Sequence, residues 1–397
     1  MRRRDVALVG LVAVTAGAAC AQILGYDSVA PREEDAGVGA EAGLDAPATH
    51  VDAPIETLAE TAVDGEDTGP APVRVPERTT SDPTPSGKGK RVWFLARKYH
   101  LGNELPSGAH SPDAWRTLGY DLDHVCTGPS ESKENVGTCR RVDGANQDVL
   151  IDGDGCRDNN FGAHVIALIA VTNPNFEDTT NTGLTKGANT WVFVIDDLDD
   201  GPDDAYAPGI LYHAAAIDGT WTPAYDGTDV RTASSDSVVG NDLTKPLTTF
   251  PKGFVRGNVW VSGLDETVSL SLPVGSFAVG LPLVGASITI KLSDDHKTAL
   301  DGIVAGAIPW AGFESVLRPV ADSSGVCPGS SLYTSLLKTV SKFPDVSVGS
   351  PTLQDLGMTC DGISFGIGFD LAPVRPITAV TPAPPSPPSR CDAGAGG

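Results

Sequence analysis

The stretch DVLIDGDGCRDNN, residues 148–160, carries the side chains best suited to bind a metal ion. Four carboxylates lie close together in it, from Asp148, Asp152, Asp154 and Asp158. Calcium takes about six to eight hard oxygen ligands, which closely spaced carboxylates on a flexible loop can supply. The stretch departs from an EF-hand loop, since Cys156 stands where a further oxygen ligand belongs and no Glu closes the loop. We therefore expect either a calcium site that pins this loop between strands or a solvated acidic turn.

One short motif has the form of a hydrolase nucleophile. GISFG, residues 362–366, satisfies the G-x-S-x-G pattern, in which the serine occupies a sharp turn between a strand and a helix. Here the alternation of a strand continues through Phe369, so we expect Ser364 to be an ordinary residue on the polar face of a strand. The seven histidines show neither H-x-x-x-H nor H-E-x-x-H spacing, which gives no indication of a zinc hydrolase. No catalytic residue is predicted.

The seven cysteines divide into Cys20 near the N terminus and six in the body of the chain. An even set of six can form disulfides in an oxidising compartment. The six disulfide candidates are Cys126, Cys139, Cys156, Cys327, Cys360 and Cys391. Proximity along the chain favours pairing Cys126 with Cys139 and Cys327 with Cys360, and a bond from Cys391 to Cys156 would then attach the tail to the domain. The sequence has no C-x-x-C pair, which argues against a zinc ribbon or thioredoxin chemistry.

Residues 1–20 have the order of a bacterial export signal, with a basic start, a short apolar run and small residues. In one interpretation, cleavage precedes Cys20, whose thiol is lipidated, and the following Ala21 indicates transfer to the outer membrane. In the other, ordinary cleavage before Gln22 removes Cys20. The apolar run is shorter than the about 20 residues of a membrane-spanning helix, and no later stretch reaches that length. We therefore predict a lipid anchor as the contact with the membrane, without a spanning segment.

Residues 21–90 predict a disordered acidic tether rich in Pro and Ala. Residues 27–90 contain no aromatic residue and cannot bury enough apolar area to offset the entropy cost of ordering. Residues 21–86 hold 14 Asp or Glu against 3 Arg, so they contribute −11, about half of the formal net charge of −23. Such a charge argues against a nucleic-acid partner, because phosphate binding needs a positive surface.

Residues 91–375 predict a mainly β globular domain. The short apolar runs HVIALIAV (164–171) and NTWVFVID (189–196) are typical of strands. In residues 266–292 apolar and polar residues alternate, which predicts three antiparallel strands that turn at Gly275 and Gly285.

The last part of the domain predicts two short helices and a final strand. The helices fall in PWAGFESVLRPV, where Pro319 should end the helix early, and in SSLYTSLLKTVSKF. The alternation in GISFGIGFDL predicts the strand. Together the elements predict a two-layer β-sandwich of jelly-roll type, with two domains meeting near residue 245 as the alternative. Residues 376–397 are rich in Pro and predict a disordered tail.

Four stretches resemble segments of secreted lipoproteins from gliding soil bacteria. They are ACAQILGYD at the candidate anchor, GYDLDHVCT (119–127), DGDGCRDNNFG (152–162) and CDGISFGIGFDL (360–371). The resemblance implies an exported β-rich domain with no established activity and supplies no catalytic residue.

These features predict an exported, lipid-anchored protein of the outer membrane and cell surface with a non-catalytic binding or adhesion module. Its ligand would be an extracellular glycan or protein, and Trp221 and Tyr225 in a turn-rich stretch are the candidate glycan contacts. One alternative is a secreted glycosidase, whose two carboxylates would lie about 5 Å apart in a retaining enzyme and about 6.5–9.5 Å apart in an inverting one. Another alternative is a structural protein of the envelope.

Overall fold

The computed structural model describes residues 71–79, 84–217, 222–274, 277–323, 325–383 and 390–391. The predicted signal, Cys20, Trp221 and most of the predicted tether lie outside these residues. The described residues belong to one compact unit, Pro70–Gly397, with no division near residue 245. None of their helices is long and apolar enough to cross a membrane.

Strands dominate the described residues, which confirms the prediction of a mainly β fold. In chain order they are β1 (Lys90–His100), β2 (Cys139–Arg140), β3 (Thr190–Leu198), β4 (Gly209–Ala214), β5 (Ala233–Ser234), β6 (Thr248–Phe250), β7 (Phe254–Arg256), β8 (Val259–Val261), β9 (Glu266–Val274), β10 (Phe277–Leu292), β11 (Ala299–Pro309), β12 (Asp355–Thr359), β13 (Gly362–Pro373) and β14 (Val380–Thr381). One mixed sheet runs in the order β14-β5-β4-β3-β1-β13-β11-β10-β8-β7, with β6 paired to β4 and β9 to β10. Strands β2 and β12 form a separate parallel pair.

The large sheet folds over a core of aromatic side chains. Because side chains alternate along a strand, every second residue of β3 and β13 points inward, and the Phe193 and Phe369 rings stack with centroids 5.2 Å apart. From the other half of the sheet, Trp260 packs against Phe250 and donates its indole N–H to the Ala207 carbonyl at 2.7 Å. The two halves therefore face each other as layers across one core.

Ordered structure extends beyond both ends of the predicted 91–375 domain. The Val73 backbone N–H donates to the Gly155 carbonyl, so the chain already lies against the domain within the predicted tether. Past residue 375, Ile377 is buried and β14 pairs with β5, within the stretch where the sequence predicts a disordered tail.

Helices lie between β1 and β2, between β2 and β3 and between β11 and β12. They are α1 (Pro129–Glu134), α2 (Ala167–Thr172), which follows a π-helical segment (Phe161–Ile166), α3 (Phe176–Thr185), α4 (Trp310–Ser323) and α5 (Ser331–Val340). The two predicted C-terminal helices are confirmed. The prediction that Pro319 ends the first of them is wrong, since α4 continues to Ser323. Pro319 lies on the exposed face, where water can solvate the carbonyl that loses its helical hydrogen bond.

Two further predictions are wrong. The run 164–171 is helical, because an apolar stretch that is buried can satisfy either a strand or a helix, and Val165 and Ile166 pack into the core. Residue Gly285 makes no turn. It has a φ of +56° and lies at a register shift between Val284 and Ser287, so it forms a bulge within the continuous strand β10.

Candidate functional site

Three disulfides connect the six cysteines in the body of the chain. They join Cys126 to Cys156, Cys139 to Cys360, and Cys327 to Cys391. The two pairings favoured by proximity along the chain are wrong, and so is the expected pairing of Cys156 with Cys391. The fold brings together cysteines as far as 221 residues apart, while nearer cysteines lie on different elements.

Near the Cys126–Cys156 disulfide, two loops bring three aspartates together. We call Asp121, Asp123 and Asp158 the acidic cluster. Each is at most 4% exposed, and one carboxylate oxygen from each lies within 4.8 Å of the others. Of the four aspartates predicted as calcium ligands, Asp158 belongs to the cluster and Asp152 lies beside it. The other two, Asp148 and Asp154, are exposed to solvent.

Backbone groups hold two carboxylates of the acidic cluster in place. Asp158 Oδ2 accepts the N–H groups of Leu122 and Asp123, at 2.6 and 3.3 Å. The two oxygens of Asp123 accept the Val125 N–H, at 2.8 Å, and the Thr138 hydroxyl. These bonds fix the positions of the two carboxylates relative to the loop at residues 122–125.

The third carboxylate of the acidic cluster is only half satisfied. Asp121 Oδ2 accepts the Arg74 Nε–H at 2.9 Å, and the Arg74 side chain is itself half exposed. Asp121 Oδ1 is buried and has no hydrogen-bond partner among the described residues. This oxygen is therefore available to a ligand.

Crowding of negative charge away from water disfavours ionisation here. Burial raises the pKa of Asp123 to about 6 and that of Asp152 to about 9. Burial, reinforced by repulsion from Asp123 and Asp152, raises the pKa of Asp158 well above its usual range. Nearby, burial raises the pKa of Asp345 to about 8. A positive charge placed among these groups would favour their ionised forms.

Residue Ser364 lies in the middle of β13 and is fully buried. Its hydroxyl donates to Asp345 Oδ2 and accepts the Asn160 N–H at 2.7 Å. The prediction that Ser364 lies on an ordinary polar face is wrong, because Asn160 and Asp345 cover this face of the strand. A serine with no exposed surface cannot attack a substrate, so the structure gives no support to a nucleophile elbow.

A second candidate site is an open cleft of about 510 Å³ beside β9, which we call the polar cleft. Its floor comes from the outward face of β9, while Val268 and Leu270 of the same strand point into the core. Segments near β4 and β6 form the opposite wall. Hydroxyl side chains line both walls, namely Ser237, Thr248, Thr249, Thr267, Ser269 and Ser271.

Two carboxylates and one histidine also line the polar cleft. Asp236 Oδ1 lies 3.8 Å from His213 Nδ1, and the His213 imidazole lowers the pKa of the Asp236 carboxyl. Glu266 Oε1 lies 3.1 Å from the ammonium of Lys252. Asp236 thus has a partner that favours its ionised form.

The candidate glycan contact Tyr225 does not line the polar cleft. Its side chain is half buried, and its hydroxyl donates to the Leu184 carbonyl at 3.0 Å. The alternation of Ser and Thr with apolar residues along β9 was the sequence signal for the cleft floor. Nothing in the sequence indicated that His213 and Asp236 would face that floor.

These features define a disulfide-linked, mainly β protein with a buried acidic cluster and a separate open polar cleft. Comparison of the chain with protein-family models, with curated proteins and with solved structures finds no match. The two sites themselves are therefore the basis for a functional proposal.

Proposed function

We propose that this protein is an exported, lipid-anchored protein of the cell surface whose β-rich domain binds an extracellular glycan in the polar cleft. The row of hydroxyls along the cleft carries this proposal. Hydroxyl, carboxylate and imidazole groups supply the donors and acceptors that match the hydroxyls of a sugar. The volume of about 510 Å³ falls within the range of about 300–1,000 Å³ that is common for ligand sites.

The charge state of the polar cleft favours binding over catalysis. A glycosidase needs one carboxylic acid with a raised pKa to protonate the leaving group. In the polar cleft the pKa of Asp236 is lowered by His213, and its side chain is 48% exposed. The second candidate function is a glycosidase, which the presence of both Asp236 and Glu266 in one cleft favours.

Disulfide formation supports the compartment in this proposal. Three disulfides are typical of a protein that folds in an oxidising environment outside the cytosol. The arginines, apolar run and small residues before Cys20 support export and lipidation. Labelling with radioactive palmitate should mark the wild-type chain and leave Cys20→Ser unlabelled, and label that persists in the variant would contradict the anchor.

A retention and cleavage screen tests the polar cleft directly. We expect the full chain to be retained by at least one polysaccharide and to leave it uncleaved. The double variant Ser269→Ala/Ser271→Ala removes two hydroxyls worth about 0.5–1.5 kcal/mol each, so binding should weaken by about tenfold. Ser315→Ala, on the exposed part of α4, is the matched control and should bind like wild type.

Two outcomes of the screen would overturn the proposal. Retention that is unchanged in the double variant would place the binding site elsewhere. Cleavage of a polysaccharide that is lost in Glu266→Gln, with unchanged thermal stability, would establish the glycosidase instead.

A further inference from the structure

We propose that the acidic cluster, Asp121, Asp123 and Asp158, binds a single calcium ion. The three carboxylate oxygens lie within 4.8 Å of one another. Oxygen ligands bind Ca²⁺ at about 2.3–2.6 Å, so any two ligands of one ion lie at most about 5 Å apart. The cluster therefore has the span of one coordination sphere.

An unsatisfied oxygen points to the same ligand independently. Asp121 is only 4% exposed, yet its Oδ1 has no hydrogen-bond partner among the described residues. Burying a carboxylate oxygen without a partner is costly, and buried charges are normally paired or coordinate a metal. Arg74 pairs with the other oxygen of Asp121, so it leaves Oδ1 open toward an ion.

The chemistry of the surrounding groups selects a hard cation. All three ligands of the acidic cluster are carboxylates, which suit Ca²⁺ rather than the softer metals that prefer sulfur or imidazole. The two nearest cysteines, Cys126 and Cys156, are joined to each other and cannot act as thiolate ligands. Asp152, beside the cluster, offers a further carboxyl oxygen near the same position.

A bound ion would fasten two separate loops together, and the N-terminal stretch lies against both. Asp121 and Asp123 belong to one loop and Asp158 to another, while Arg74 and Val73 hold the N-terminal stretch against both. The proposed role of the ion is accordingly structural, and the polar cleft does not depend on it for its own ligand groups.

The test uses the full chain with its disulfides oxidised and its metal removed by a chelator. Calorimetric titration with CaCl₂ should show one ion per chain, and Ca²⁺ should raise the midpoint of thermal unfolding relative to chelator. Asp121→Asn keeps the shape of the side chain but removes one ligand charge. It should weaken binding of Ca²⁺ by about tenfold or more, because the charge of the ligands sets affinity.

A second readout separates a ligand from a merely structural residue. Without metal, Asp121→Asn should stay close to wild type in stability, because less repulsion within the acidic cluster offsets the loss of the half-exposed Arg74 ion pair. Asp148→Asn, which removes an exposed aspartate of the neighbouring stretch, is the matched control and should keep full binding. A wild-type midpoint that is identical in Ca²⁺ and chelator, or binding that survives unchanged in Asp121→Asn, would overturn the proposal.

Discussion

At the scale of single residues, Ser364 lies in a motif associated with catalysis but forms buried hydrogen bonds that hold the fold together. Its hydroxyl and its backbone N–H both donate to the Asp345 carboxylate, and the hydroxyl also accepts the Asn160 N–H. Replacing the serine by alanine leaves that N–H without an acceptor in a buried site. We expect Ser364→Ala to lower the free energy of unfolding by about 1–3 kcal/mol, measured by urea denaturation.

The control for this prediction is another serine on a strand. Ser269 of β9 is exposed, so Ser269→Ala should change the free energy of unfolding by less than about 0.5 kcal/mol. Equal stability of the two variants would show that the hydrogen bonds of Ser364 contribute little.

At the scale of elements, close contact between neighbouring strands explains why β11 carries Gly302. Gly302 pairs with Phe369 of β13, and a Cβ added at Gly302 would overlap the Phe369 ring. We expect Gly302→Ala to cost about 1–3 kcal/mol through overpacking, measured as a lower midpoint of urea unfolding. Gly280→Ala in β10, where a Cβ meets nothing within 4 Å, should be close to neutral. A similar loss in both variants would contradict the packing argument.

The same scale shows which elements the sequence could predict. Strands β9 and β13 were predicted because large apolar residues alternate with small or polar ones along each of them, which is the period of two expected of a strand. The helical run 161–172 was missed because it is short, rich in β-branched residues and packed on the core, which leaves no helical period to detect. Gly285 was misread because a left-handed glycine occurs in bulges as well as in turns.

At the scale of the whole molecule, contacts between distant stretches place the candidate sites. The sequence predicted Asp152 and Asp158 as candidate ligands but offered Asp148 and Asp154 beside them. It missed Asp121 and Asp123, which join Asp158 through the fold. The Cys126–Cys156 disulfide brings the two loops together, with its Cα atoms 4.8 Å apart. Knowledge of this pairing would have indicated that Asp121 and Asp123 lie close to Asp158. Loop closure depends on tertiary structure, and proximity along the chain does not reveal it.

That dependence gives a prediction for the disulfides themselves. Cys139–Cys360 closes a loop of 221 residues and Cys327–Cys391 one of 64. A crosslink restricts the unfolded chain more when its loop is longer, by about 5 kcal/mol for the first and about 4 kcal/mol for the second. One double variant replaces Cys139 and Cys360 by alanine, and the other replaces Cys327 and Cys391. The first should lose more free energy of unfolding than the second, as measured by urea unfolding.

Cys139 and Cys360 also hold the β2–β12 pair at the edge of the buried region, which should add to the loss in the first variant. A smaller loss in the first variant than in the second would contradict this ranking. Peptide mapping without reductant should recover these same two crosslinked peptides from the wild-type chain.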